Sequence, residues 1–384
     1  MSDCESKSCD LRKVESAVPE SHSSSGGRLD TPPCCGPRVS VAGGKIDETV
    51  PGFLGWLSTD AGRVPRIGSQ LTLADHLGAC KARWGIGRMK YLVPPGLYAI
   101  GKPSPPDPVV VTANYRMSYD IVRRVLSGRN AWLLVLETFG INVWCAAGKG
   151  TFGTDELVHR IAVTGLARVV AHHRLILPIL GAPGVAAHEI ARRSGFSVSY
   201  GTIRAEDLPE YLDNGMSTTP AMREMTFSLY ERLVLIPVEI VIACRSLPMI
   251  GGMLFLTALL MGGVSTALSA TLAWLGAVLT GLVISPLLLP WIPVRGFALK
   301  GALLGIIWAI SFYFISGGAS WSLPVKAASF LILPSISAFY SLNFTGCTNF
   351  TSRSGVKREM KTALPMMGGM LFTGVILLLT GRFL

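Results

Sequence analysis

Five apolar stretches, at roughly 247–264, 269–292, 297–316, 322–342 and 362–380, fill the carboxyl-terminal third of this chain. Each has about the 17–25 residues an α-helix needs to cross a bilayer. Housing them in a soluble core would take five long uncharged helices in a row, so a transmembrane domain of five spans over 247–384 is expected. A mean hydropathy of +0.45 is likewise too high for a purely soluble protein. The connections at 264–268 and 317–321 carry no Lys or Arg, whereas Arg295 lies in the second connection and Arg353, Lys357, Arg358 and Lys361 in the fourth. Cytoplasmic loops are the basic ones. The expected protein is therefore a multi-pass protein of the inner (cytoplasmic) membrane, with the preceding domain in the cytoplasm and the carboxyl end outside. Residues 229–246 carry Glu231, Arg232, Glu239, Arg245 and Pro237, and suit an interfacial helix or linker better than a sixth span.

Residues 1–50 are rich in Ser, Gly, Pro and charge without an apolar period, which predicts a disordered leader. The net charge of +11 raises the question of nucleic acid. No Lys/Arg stripe interleaved with aromatics appears, so nucleic-acid binding is not expected. Eight cysteines form no CxxC pair, which argues against a zinc site or an iron–sulfur cluster of the chain's own.

Between these regions, 51–228 alternates strand and helix patterns. A helix at 71–84 would place Leu71, Ala74, Leu77 and Cys80 on its apolar face. Strands are expected at 109–112, 132–136, 175–180 and 197–200, and helices at 118–126, 154–170 and 185–193. Strands joined by helical crossovers build a parallel sheet covered on both faces, a Rossmann-like α/β domain. Ligands in such sheets collect at the carboxyl ends of the strands. Thr112-Ala113-Asn114, Asn142–Cys145 and Gly181-Ala182-Pro183-Gly184 all fall there.

The second of these loops belongs to the run Asn142-Val143-Trp144-Cys145-Ala146-Ala147-Gly148-Lys149. It sets a lone cysteine where a strand hands over to a helix, a position that draws a thiol toward thiolate. Ala146, Ala147 and Gly148 would let something large and flat lie near the sulfur. Gly148-Lys149 is no phosphate loop: Val143 stands where the first glycine belongs, and Gly150 where Ser or Thr would bind magnesium. His159, His172, His173 and His188 have no carboxylate or cysteine at ligand spacing and are expected to be structural.

This run resembles the cap-helix motif of the mercury-methylating corrinoid protein family and, more loosely, the corrinoid domain of the corrinoid iron–sulfur protein's large subunit. Pro95–Ala99, Val111–Tyr115, Gly150–Thr154, Gly181–Gly184 and Tyr200-Gly201 extend the resemblance, while Ile179 and Thr202 depart from it. The resemblance implies a cobalamin-type corrinoid with Cys145 as ligand to its cobalt. It would be held by Asn142, Val143, Trp144, Ala146, Ala147, Gly148 and Lys149, with Thr112, Ala113, Asn114, Gly181, Ala182 and Gly184. It further implies a methyltransferase that passes the corrinoid's methyl group to Hg(II), giving methylmercury. The methyl donor would be of the methyl-folate type, and re-reduction would fall to a separate ferredoxin-like iron–sulfur protein. The alternative within the same cofactor class is a methyl carrier of one-carbon and acetyl-CoA metabolism. A different class, a transporter with a regulatory soluble domain, is disfavoured because the spans hold no acidic residue.

Overall fold

A run of apolar residues with nothing polar to turn outward must be covered on both faces, and Ala131–Leu136 is such a run. In the computed structural model, which describes residues 46–344 and 353–381, it forms a strand with every residue buried. All but the last five residues of the expected leader lie outside the described residues. Among the described residues seven strands make one sheet: β1 (Phe53–Thr59), β2 (Gly62–Ile67), β3 (Gly96–Ile100), β4 (Val109–Ala113), β5 (Ala131–Leu136), β6 (Arg174–Leu177) and β7 (Ser197–Tyr200). Their order is β1-β2-β3-β5-β4-β6-β7. The four expected strands are β4 to β7, mutually parallel. The sheet as a whole is mixed, because β3 runs antiparallel to β5 and β1–β2 adds a hairpin. β6 stops at Leu177 rather than 180, since Pro178 has no N–H for the ladder.

Successive residues of β5 point to opposite faces. Trp132, Leu134 and Leu136 join the core beneath α3 (Val143–Lys149), α4 (Thr154–Thr164) and α5 (Ala187–Ser194). Leu133 and Val135 join the core beneath α2 (Arg116–Val125) and α6 (Leu208–Asp213). Since β4 is flanked by β5 on one side and β6 on the other, the chain changes direction across the sheet between β4 and β6. That is where a crevice opens in such folds.

The helix expected at 71–84 is α1, Leu73–Arg83, but it presents the opposite face. Leu77 and Cys80 are exposed, while Asp75 and Ala82 are buried. The reason is ionic: the Asp75 carboxylate meets the Arg116 guanidinium and, at 2.9 Å, that of Arg123, which has no exposed surface. Burial pushes the Asp75 carboxyl up, but hydrogen bonds from the Thr72 backbone and hydroxyl and the charge of Arg123 outweigh it, leaving the group at about 2. A carboxyl held below its unfolded value stabilises the fold above pH ~4, and this is lost as pH falls from about 4 to about 2. Asp75→Asn should therefore be less stable at pH 7 by roughly 2 kcal/mol. It should also lose less stability than the native chain between pH 4 and 2, as thermal unfolding followed by circular dichroism would show.

From residue 229 the chain is helical. α7 (Leu229–Ala243) starts on a capping box in which Ser228 and Glu231 satisfy each other's backbone N–H groups. α8 (Leu247–Leu279), a π turn at Thr280–Ile284, and α9 (Ser285–Leu288) follow, then α10 (Phe297–Ile315), α11 (Leu323–Asn343) and α12 (Arg353–Thr380). Among the described residues four helices are long and apolar enough to cross a membrane, where five spans were expected. The difference lies in the first, Leu247–Leu288. Residues 264–268 hold no proline or charge to break a helix, and they stay helical. The break is one residue, Gly263, at φ 76° and ψ −174°. The Trp274 ring lies against Gly251, where a Cβ would stand 2.8 Å from it. A straight helix would separate these residues by about 34 Å, so the two halves fold back on each other at Gly263. Further on, Gly301 and Gly305 of α10 meet the backbone of α11 at Ala338 and Pro334, the small-residue contact that lets apolar helices approach closely.

Candidate functional site

The loop from β5 into α3 is built from one buried side chain, Asn114, at the end of β4. Its Oδ1 accepts the backbone N–H groups of Thr138 (3.1 Å) and Gly140 (3.2 Å), and its Nδ2 donates to Glu137 Oε1 at 2.6 Å. Glu137 Oε1 also accepts from Phe139 N–H at 2.8 Å. These bonds hold Phe139 (φ 55°) and Gly140 (φ 72°) in the left-handed region, a conformation non-glycine residues adopt only when over-determined. Glu156 of α4 accepts the Glu137 N–H and is itself held by Arg160 at 2.6 Å. Asn142 then caps α3, its Oδ1 accepting Cys145 N–H at 3.0 Å. The Asn142 amide oxygen is thus engaged with the backbone N–H of Cys145.

α3 divides the motif in two. Ala146 and Ala147 are buried in the core. Trp144, 40% exposed, and Gly148 one turn later make the outer surface, with Cys145 and Lys149 half-buried beside them. Among the described residues the Lys149 Nζ atom is buried without a hydrogen-bond partner. An amine in that position is suited to a polar or anionic partner. Gly184 lies so close to the backbones of Phe152 and Ala147 that no side chain fits, and Gly181 faces the Phe152 ring. These glycines, with Ala182 half-buried between them, support α3 from beneath. Ala113, like Asn114, is fully buried.

A cavity of about 320 Å³ opens at the crevice between β4 and β6. Its floor is Val110 to Thr112 and Ile176 to Pro178, and Asn142, Val143 and Trp144 overhang it. α2 supplies one wall through Ser118, Ile121 and Val122; the other is Thr202 to Glu206 with Leu208. Of the expected residues, the structure brings Thr112, Asn142, Val143 and Trp144 to this cavity, while Cys145 and Lys149 stand half-buried on the same helix outside its lining. It does not bring Ala113, Asn114, Gly181, Ala182 or Gly184 there. The α2 and 202–208 walls escaped the sequence reading. Their only signal was the apolar face of α2, indistinguishable from ordinary core. Among the described residues no three of His, Cys, Asp and Glu come together as a metal site.

The comparisons cover this same region. Residues 88–211 match the family model for the CO dehydrogenase/acetyl-CoA synthase delta subunit. The acetyl-CoA decarbonylase/synthase complex subunit gamma of Methanopyrus kandleri is 32% identical over 123 residues, 32% of this chain and 26% of that protein. The subunit of the same name from Methanocaldococcus jannaschii is 31% identical over 129 residues, 33% of this chain and 26% of that one. That of Archaeoglobus fulgidus is 38% identical over 92 residues, 23% and 20% respectively. The chain thus spans about a quarter of the length of the first two relatives. The family match runs from just before β3 to α6, holding the cavity and α3, and stops short of the helices from 229 onward.

Proposed function

We propose that the soluble domain binds a corrinoid and carries a methyl group on it, with the helices from 247 onward holding the domain at a membrane. The observation that carries this is the largely apolar cavity at the β4/β6 crevice, beneath a helix that presents a tryptophan, a thiol and a buried unpartnered amine. The relatives support it, being subunits named for acetyl-CoA decarbonylase/synthase complexes. When bound, the corrinoid supplies a cobalt centre that accepts and releases a methyl group. The chain's own part is to hold and tune it. Cys145 would give its thiolate to the cobalt, Trp144 and Gly148 would lie against the ring, and Lys149 Nζ would donate to one of the cofactor's amide or phosphate oxygens. The cavity walls would take an apolar substituent. In this reading the chain is a methyl carrier of one-carbon metabolism, served by a methyl-folate-type donor and re-reduced by a ferredoxin-like iron–sulfur protein.

A second reading, methyl transfer to Hg(II) to give methylmercury, is favoured by Cys145 itself. A thiolate donates more strongly than imidazole and would make the cobalt's methyl group more electron-rich, which suits an electrophilic acceptor. In both readings the two halves of α8 are separate spans, giving five. The basic second and fourth connections then lie in the cytoplasm with the soluble domain, and the carboxyl end outside.

The test is the visible spectrum of the purified full chain after reconstitution with a corrinoid, followed by methylation and challenge with Hg(II). A stoichiometric coloured protein is expected. A chain that stays colourless overturns the proposal. Methylmercury as product selects the second reading, and a methylated corrinoid stable to Hg(II) selects the first.

A further inference from the structure

α1 is built inside out. Small and ionic residues, Asp75, Gly78 and Ala82, face the domain, with Gly78 directly against the Tyr91 ring. Leu73, Leu77, Cys80 and Trp84 face outward. At 100° per residue these four fall within an arc of about 60°, a continuous stripe along the helix. Leu73 is 74% exposed and Leu77 52%, and Ile86, past the helix end, is exposed as well. A water-facing helix has no reason to carry such a stripe. Its place in the fold says what covers it. The end of α1 packs on α7, where a Cβ at Gly85 would lie 3.2 Å from Val241 Cγ1. Val241 precedes the first membrane-length helix, which begins at Leu247, by under two turns. α7 exposes Leu229, Tyr230, Leu233 and Ile242, so the two helices adjoin at the level where the chain enters the apolar helices. Lys81 of α1 and Arg245, just past α7, are exposed, the charge that anionic headgroups attract, and tryptophan is enriched at that depth.

We infer that α1 is a second membrane-surface helix, its Leu73–Leu77–Trp84 stripe seated in the headgroup region of an anionic bilayer. The soluble domain would then lie on the membrane rather than hang from it. This rests on the membrane reading above. The full chain, reconstituted into vesicles of equal parts phosphatidylcholine and phosphatidylglycerol carrying a clickable acyl chain, is tested with a benzophenone amino acid at single positions. Leu73 and Leu77 are probed in parallel. Phe372, 69% exposed on α12, is the lipid-facing control. Val163, exposed on α4 across the sheet from α2, is the water-facing one. Lipid adducts at 73 or 77 several-fold above those at 163, with adducts at 372, are expected. No lipid adduct at 372 sinks the membrane reading and this inference with it. Adducts at 372 while 73 and 77 capture only protein, a second copy or nothing overturn this inference alone. Equal lipid adducts at 163 overturn it as well.

Discussion

Cys145→Ala is expected to abolish methyl transfer while leaving the domain folded and the cavity intact. The prediction separates cleanly because of how Cys145 is held. What fixes it to the helix is its backbone N–H, donated to Asn142 Oδ1 at 3.0 Å, and alanine keeps that bond. Ala146 and Ala147, which anchor α3 to the core, are untouched. The half-buried side chain itself contributes about 1 kcal/mol of apolar burial at most, so the melting temperature should move little. The chemistry should move a great deal. Losing even an outer partner of a metal ligand costs up to roughly 100-fold in affinity or activity, and here the proposed ligand itself is removed. The assay is methyl transfer by corrinoid-loaded protein, read together with the visible spectrum, in which the cobalt bands should shift. Cys145→Ser, similar in size but a poor soft donor, should resemble alanine. Native rates with an unaltered spectrum in Cys145→Ala would remove the thiol from the mechanism.

What could be read from the sequence followed from how local the determining force was. β4 and β5 were legible because strands buried on both faces leave unbroken apolar runs. The hairpin strands at the other edge were not. β1 and β2 hold Gly55, Gly62, Arg63 and Arg66, and half-exposed edge strands show no such run. α1 was placed correctly but turned the wrong way. Periodicity says which residues share a face, yet not which face meets the core, and the decision was made by Arg116 and Arg123 more than 40 residues away. At the site the motif stood out by residue type, so Asn142 to Lys149 were found together. The roles within it needed three dimensions: Ala146 and Ala147 face inward, and Gly184 supports α3 through backbone contact. The first apolar pair of segments was recognisable by length, whereas a turn made by Gly263 alone leaves no composition signal.

Asn114→Ala should be the most damaging single change in the α/β domain, although Asn114 is fully buried and lies outside the cavity. Its amide is the one side chain that satisfies two loop N–H groups, those of Thr138 and Gly140, and the Glu137 carboxylate at the same time. Alanine leaves these buried groups without that partner, and each orphan costs about 1–3 kcal/mol. The total expected is about 4 kcal/mol. The damage should concentrate where Phe139 and Gly140 are held at positive φ, because a left-handed residue reverts once its restraints go. α3 begins only three residues later, so the position of Cys145 should be lost before the sheet is. Hydrogen exchange should show deprotection of 137–149 ahead of β5, and corrinoid affinity should drop together with stability. Asn114→Asp is the informative companion. It keeps an acceptor for the two N–H groups but sets a carboxylate against Glu137, and the pair must share a proton to stay in contact. Protonation then favours the folded state, so this variant should gain stability as pH falls from 8 toward 5, where the native chain should not. A flat profile in Asn114→Asp, or Asn114→Ala with native protection across 137–149, would show that the loop is held by something other than this amide.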